Sequence, residues 1–167
     1  MLIHQNVLSE NLLDEIEKEI VNNFNNACWR VGGLAWHKGL SEGSNGEILQ
    51  TSVSNLLKER IDNDLKDFYP SAHTKISLCL YGKGASLAMH NDEGWEWAAT
   101  VYLNKDWNKN LGGTFLYTDN TNNEIWNAVF PKFNTMIIND AKETHMVTLV
   151  SAQAEEYRAS IQIWGIK

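Results

Sequence analysis

Cysteine is scarce in this chain: Cys28 and Cys79 are the only two in 167 residues, and they form no Cys-x-x-Cys pair. A disulfide framework is therefore not expected. Both read as small buried hydrophobes, which suits a reducing compartment. Basic residues are also few. Fourteen Lys and Arg face 21 Asp and Glu, for a formal net charge of −7. No Lys/Arg cluster stands out, so the phosphate attraction on which most nucleic-acid binders rely is missing. No apolar run approaches the roughly 18 residues of a membrane span. Met1 to Leu13 lacks the basic start and continuous apolar stretch of a secretory leader. The cytoplasm is the expected location. Internal repeats and low-complexity blocks are absent, although Asn is abundant.

What remains is an ordinary globular composition, 43% hydrophobic and 21% charged. A chain of this length buries roughly 70% of its unfolded surface without staples. We expect one domain over residues 1–167, with helical support and a loop over 1–70 and a β core over 74–164. Ser9 is placed to cap a helix whose Leu12, Leu13, Ile16, Ile20, Val21 and Phe24 recur at helical spacing. Cys28 to Gly46 is rich in Gly and Trp and reads as an irregular or hairpin-like loop. A second helix is expected from about Thr51 to Phe68, with Val53, Leu56, Leu57, Ile61, Leu65 and Phe68 on one face and Pro70 as its stop.

From Thr74 the apolar period becomes two. Ile76, Leu78 and Leu80 alternate with Ser77 and Cys79, and Ala99, Val101 and Leu103 with Thr100 and Tyr102. Asn104 to Gly113 reads as a turn region. Strands are expected at Thr114–Tyr117, Glu124–Phe130, Thr135–Ile138, His145–Val150 and Arg158–Ile163. Short strands at regular spacing imply a sandwich or barrel. The fold class is mainly β with N-terminal helices: a jelly roll, or double-stranded β-helix, of about eight strands.

The chemistry concentrates in His90-Asn91-Asp92, His145 and Arg158. His-x-Asp on an extended segment puts both side chains on one face. Two imidazoles and a carboxylate, with the second His far along the chain, are the ligands of a non-haem Fe(II) facial triad, which leaves positions open. Arg158 is placed to hold the far carboxylate of a 2-oxo acid, because its planar fork matches a carboxylate. His-x-Asp alone is weak evidence; the full set in this order is strong. His4, His37 and His73 read as non-ligands.

The surrounding motifs carry a resemblance. Leu78-Cys79-Leu80-Tyr81-Gly82, Tyr102-Leu103-Asn104-Lys105-Asp106-Trp107, Gly112-Gly113, Pro131-Lys132-Phe133, His145-Met146-Val147, Arg158-x-Ser160 and Trp164 are similar to the Fe(II)/2-oxoglutarate dioxygenases of the prolyl 4-hydroxylase-like superfamily. The Tyr-Leu-Asn-Lys-Asp-Trp and Gly-Gly pieces resemble the hypoxia-sensing prolyl hydroxylases most. The resemblance spans Leu78 to Trp164. It implies that His90, Asp92 and His145 bind Fe(II) and that Arg158 pairs with the 5-carboxylate of 2-oxoglutarate. Ser160 and Tyr102 would support that carboxylate, and Tyr81 and Trp164 would line the pocket. It also implies O₂ as cosubstrate, ascorbate as a reductant, and hydroxylation coupled to the conversion of 2-oxoglutarate to succinate and CO₂. A longer gap between His145 and Arg158, from an insertion around Ser151–Glu156, sets this chain apart from the hypoxia-sensing subgroup. A longer turn would absorb it without moving either residue.

The expected activity is hydroxylation of an unactivated C–H bond, most plausibly prolyl in a peptide or protein. A free amino acid or another small molecule is an alternative substrate. Nucleic-acid dealkylation is disfavoured because Ala159 to Lys167 holds no second Arg, and halogenation because Asp92 is present. A jelly roll that binds metal without turnover is the non-enzymatic alternative. The Trp29–Gly46 segment reads equally as a surface loop or a substrate lid. Glu93, Trp95 and Trp97 would form the opposite wall of the entrance if they do not simply pack.

Overall fold

A computed structural model describes residues 1–31, 38–69, 73–119 and 122–167. Its elements are β1 (Leu2–Gln5), α1 (Glu10–Asn25), β2 (Arg30–Val31), α2 (Lys38–Gly43), β3 (Ile48–Ser52), α3 (Asn55–Leu65), β4 (Thr74–Tyr81), β5 (Leu87–His90), β6 (Trp97–Tyr102), β7 (Phe115–Asp119), β8 (Asn122–Val129), β9 (Thr135–Asp140), β10 (His145–Val147) and β11 (Arg158–Gly165). The strands form two antiparallel sheets. The larger has the order β1-β9-β6-β11-β4-β3-β2 and the smaller β5-β10-β7-β8. This is the expected jelly roll.

The two-residue period of the central strands has a simple consequence. Each strand sends alternate side chains to opposite faces, and here both faces are covered. Ile76 and Leu78 of β4, Ala99 and Val101 of β6, and Ile161 and Ile163 of β11 pack outward on Leu12 and Ile16 of α1 and on Leu57, Ile61 and Leu65 of α3. The alternate residues, among them Cys79, Tyr81, Tyr102 and Ile137, face the smaller sheet and meet Phe115 and Val147. The helices thus support the back of the large sheet, and the site lies on its front. Ile61 is fully buried in the back layer. Ile61→Ala should cost about 2–5 kcal/mol of stability, read from denaturant midpoints. A change in iron affinity at constant fold would contradict this division of labour.

α1 and α3 are tied by reciprocal polar contacts. The Ser9 hydroxyl donates to Asp64 of α3 at 2.8 Å, and the Ser54 hydroxyl to Glu19 of α1 at 2.7 Å. Ser9 stands at the N-cap position, but its side chain does not cap α1. Ser54 does cap α3, accepting from the Leu57 amide at 3.3 Å.

Several expectations are corrected. Thr51 and Ser52 end strand β3 rather than begin a helix, because Ile48–Ser52 pairs along β4 from Tyr81 to Ser77. Leu56, Val21 and Phe24 are exposed, so each helical stripe is narrower than its apolar set. Within Cys28–Gly46, read as an irregular or hairpin-like loop, the structure places β2, which pairs antiparallel with β3, and an unforeseen short helix, α2; residues 32–37, with Trp36 and His37, lie outside the described residues. Among the described residues the strands number eleven, since β1, β2, β3 and β5 were not foreseen as strands. Among the described residues no helix is long and apolar enough to cross a membrane. Both cysteines are unpaired, Cys79 buried and Cys28 exposed rather than buried.

Candidate functional site

His90 ends β5, Asp92 follows in the turn, and His145 opens β10. The register pairs His145 directly with His90, so two residues far apart in sequence become neighbours. The Asp92 amide donates to the Ala141 carbonyl at 2.8 Å, which anchors the turn against the β9–β10 connection. One ligand atom from each of His90, Asp92 and His145 lies within 4.8 Å of the others. The His145 Nε2 and an Asp92 carboxylate oxygen are 3.5 Å apart.

The tautomers suit a metal. His90 Nδ1 lies 2.8 Å from the Ala88 carbonyl and His145 Nδ1 lies 2.8 Å from that of Glu143. A carbonyl only accepts, so each Nδ1 carries its proton and each Nε2 keeps its lone pair. The ring of Phe115 stacks on His145 with centroids 5.0 Å apart, fixing the imidazole plane. Sequence reading assigned Phe115 only to a strand. Its role emerges from β7–β10 pairing.

These groups face a cleft of about 340 Å³ between the two sheets. Arg158 lies at one end of it. Its side chain is buried, only 1% exposed, and sits 4.9 Å and 5.0 Å from the rings of Tyr81 and Tyr102. The Arg158 Nε and Nη2 and the Tyr102 hydroxyl have no hydrogen-bond partner among the described residues. A buried guanidinium without an anion is costly, so the arrangement suits a carboxylate. Tyr81 and Trp164 line the cleft. Tyr102 and Ser160 are buried on the same face of the sheet but are not among the cleft-lining residues.

Burial pushes the Cys79 thiol up to about 12, against the pull of Arg158. It is therefore a neutral wall residue at neutral pH. Burial likewise raises the Tyr81 and Tyr102 hydroxyls, again opposed by Arg158. Both remain protonated donors.

The two glycines of the Gly-Gly motif have steric reasons. Gly112 has φ +73°, and a Cβ there would stand 2.0 Å from the Leu149 carbonyl oxygen. Gly113 has φ +67°, and a Cβ there would stand 2.4 Å from Arg158 Cδ. Gly113→Ala should displace the Arg158 stem and add about 1 kcal/mol or more of backbone strain. Calorimetry should show 2-oxoglutarate affinity falling by roughly tenfold; unchanged affinity would mean the guanidinium does not depend on this space.

Other lining residues were not foreseen: Ile48 and Gln50 of β3, Leu40 of α2, and Thr100, Lys75 and Gln162 of the floor. The last three share the face of Arg158 by two-residue alternation, the one signal that could have found them. Trp95 lines the cleft, whereas Trp97 is 3% exposed in the helix-side core. Glu93 does not line it; its carbonyl accepts from Lys167. Glu143 is buried beside His145.

The 2OG-Fe(II) oxygenase superfamily matches residues 76–165, more than half of the chain. This chain belongs to that superfamily. No curated protein matches it in sequence. The fold of this oxygenase is similar to that of a Pseudomonas putida prolyl-4-hydroxylase (16% identity, TM-score 0.73, covering 99% of this chain and 92% of that one). It is also similar to a Trichoplax adhaerens prolyl hydroxylase in complex with a hypoxia inducible factor oxygen degradation domain peptide fragment (17%, 0.76, 98% and 81%). A third likeness is to SnoN, a non-heme alpha ketoglutarate dependent epimerase from nogalamycin biosynthesis (14%, 0.69, 99% and 77%). At these identities the likeness is one of fold, and one fold hosts several reactions. Membership of the family implies Fe(II), 2-oxoglutarate and O₂ as the oxygenase's cofactor and cosubstrates. The residues present fit them: a nitrogen and carboxylate set suits Fe(II), and the unpartnered Arg158 suits a dianionic 2-oxo acid.

Proposed function

We propose that this oxygenase hydroxylates an unactivated C–H bond, in the manner of a prolyl 4-hydroxylase acting on a peptide or protein. One observation carries the catalytic reading. Two imidazole Nε2 atoms and a carboxylate converge on the same cleft that receives a buried, unpaired Arg158. His90, Asp92 and His145 would hold Fe(II). Arg158 would hold the 5-carboxylate of 2-oxoglutarate, with the Tyr102 hydroxyl and Ser160 behind it and Tyr81 beside it. Trp164 would wall the cleft away from Arg158. Bound Fe(II) with O₂ and 2-oxoglutarate supplies the oxidising power: substrate C–H becomes C–OH while 2-oxoglutarate becomes succinate and CO₂. Ascorbate would serve as reductant.

The chain's own residues do the positioning. The carbonyls of Ala88 and Glu143 hold both imidazoles in the ligating tautomer. Phe115, Val147 and Ile48 keep the cleft apolar around the triad, which strengthens each charge inside it. The whole chain would act as one oxygenase unit, in a reducing compartment that keeps both thiols free. The prolyl reading is supported by the two prolyl hydroxylases that share the fold. The alternative, a free amino acid or other small molecule, is supported by the fold's use in the epimerase.

The test is a turnover screen in which prolyl peptides, free amino acids and unrelated small molecules are offered with Fe(II), 2-oxoglutarate and O₂. A mass gain of one oxygen on a prolyl peptide, matched by succinate, is expected. Oxidation of free amino acids alone would replace the prolyl reading with the small-molecule one.

A further inference from the structure

The cleft has two ends. β11 runs its length, with Arg158 opposite Tyr81 at one end and Trp164 opposite Lys75 at the other. Six residues of strand, roughly 20 Å, separate them. The triad lies toward the second end: the Glu96 amide donates to the Gly165 carbonyl, and Trp95 turns back onto Asp92. If Arg158 takes the cosubstrate, the opposite end is where the substrate to be oxidised must enter.

That end is built from Lys75, Trp95 and Trp164. The two indoles lie 5.7 Å apart. The Lys75 ammonium stands 5.4 Å from the Trp95 ring and 5.5 Å from the Trp164 ring, within cation–π range of both. The rings hold the ammonium in place without neutralising it. Lys75 makes no ion pair among the described residues, although the chain carries an excess of acid. Beside it the Gln162 carbonyl oxygen accepts from the Thr100 hydroxyl at 2.8 Å, which turns the Gln162 amide nitrogen, a donor, the other way.

Charge balance sharpens the point. Fe(II), Asp92, the 2-oxoglutarate dianion and Arg158 together sum to zero. Among the described residues Lys75 and Arg158 are the two fixed cations lining the cleft, so the Lys75 charge is left without a counterpart. A positioned ammonium beside two packed apolar rings recognises a carboxylate on a compact apolar body.

We propose that Lys75, whose ammonium stands against the packed indoles of Trp95 and Trp164, selects substrates that carry a carboxylate near the carbon to be oxidised. This rests on the oxygenase reading above and names its substrate class. The carboxylate is either the terminus of an amino acid or peptide or an acidic side chain, and Lys75 offers the same chemistry to both.

The test uses binding without turnover. Protein loaded with Zn(II) and saturated with 2-oxoglutarate is titrated with acid and amide pairs, followed by tryptophan fluorescence. N-acetylproline and N-acetylprolinamide form one pair, and the corresponding leucine derivatives a second. Acetyl-Pro-Asp-amide against acetyl-Pro-Asn-amide separates a side-chain carboxylate from a terminal one. In at least one pair the acid should bind about three- to tenfold tighter than its amide, the range of a partly screened ion pair. Lys75→Gln should remove that preference and leave 2-oxoglutarate affinity as it was. Lys75 is exposed, so the fold should tolerate the change. No acid preference in any pair, weak binding by all included, would overturn the proposal, as would a preference that survives Lys75→Gln. Failure of the parent protein to bind 2-oxoglutarate would instead overturn the oxygenase assignment. Which scaffold binds, proline or leucine, judges the prolyl reading separately.

Discussion

Arg158→Ala should weaken 2-oxoglutarate binding by on the order of a hundredfold or more while leaving metal affinity nearly unchanged. The reasoning is electrostatic. Arg158 is held between two tyrosine rings, fully enclosed, with two of its nitrogens unpartnered. A carboxylate that enters this place gives up water for one fixed ion pair. Removing one partner of a buried pair costs about 3–5 kcal/mol, which is the stated loss in affinity. Arg158→Lys should fall between the two, because an ammonium keeps the charge but loses the planar fork. Isothermal titration of 2-oxoglutarate into Mn(II)-loaded protein measures this directly. Equal affinity in parent and Arg158→Ala would remove Arg158 from the cosubstrate site.

His90→Ala and Asp92→Ala should each abolish the weak visible charge-transfer band that forms when Fe(II) and 2-oxoglutarate are added without oxygen. Three potential ligand atoms within 4.8 Å of one another would make one mononuclear site, and either change would leave two. A normal band in both variants would sink the ligand assignment. Mn(II) should also occupy the site, because a mixed nitrogen and oxygen set does not select iron by affinity alone.

The candidate triad was legible because His-x-Asp, a distant His and a following Arg are local patterns with fixed chemical meaning. The sheet core was legible for a similar reason: Ile76, Leu78, Val101 and Ile161 announce strands by their period. What escaped depends on pairing. β1 is a short edge strand with Leu2 and Ile3 exposed, and it exists because β9 offers it a ladder. β3 was hidden because Thr51 and Ser52 precede an apolar helical stripe, and only the register with β4 makes them strand. Trp97 looked like an entrance wall because it neighbours the metal motif. One step of strand alternation carries it to the helix side, where a Cβ on Gly165 would collide with its indole. Lys75 gave no signal beyond the strand alternation that puts it on the face of Arg158. Its meaning comes from standing opposite Trp164 across β4 and β11.

The cleft is expected to turn over 2-oxoglutarate. The most direct measurement is succinate formed by purified protein supplied with Fe(II), O₂ and 2-oxoglutarate, with the substrate panel present. Succinate should rise well above an iron-only control, be stimulated by at least one panel member and be abolished in His145→Ala. Succinate no higher than the control across the whole panel, from protein shown to bind both Fe(II) and 2-oxoglutarate, would contradict it and leave a metal-binding jelly roll without turnover.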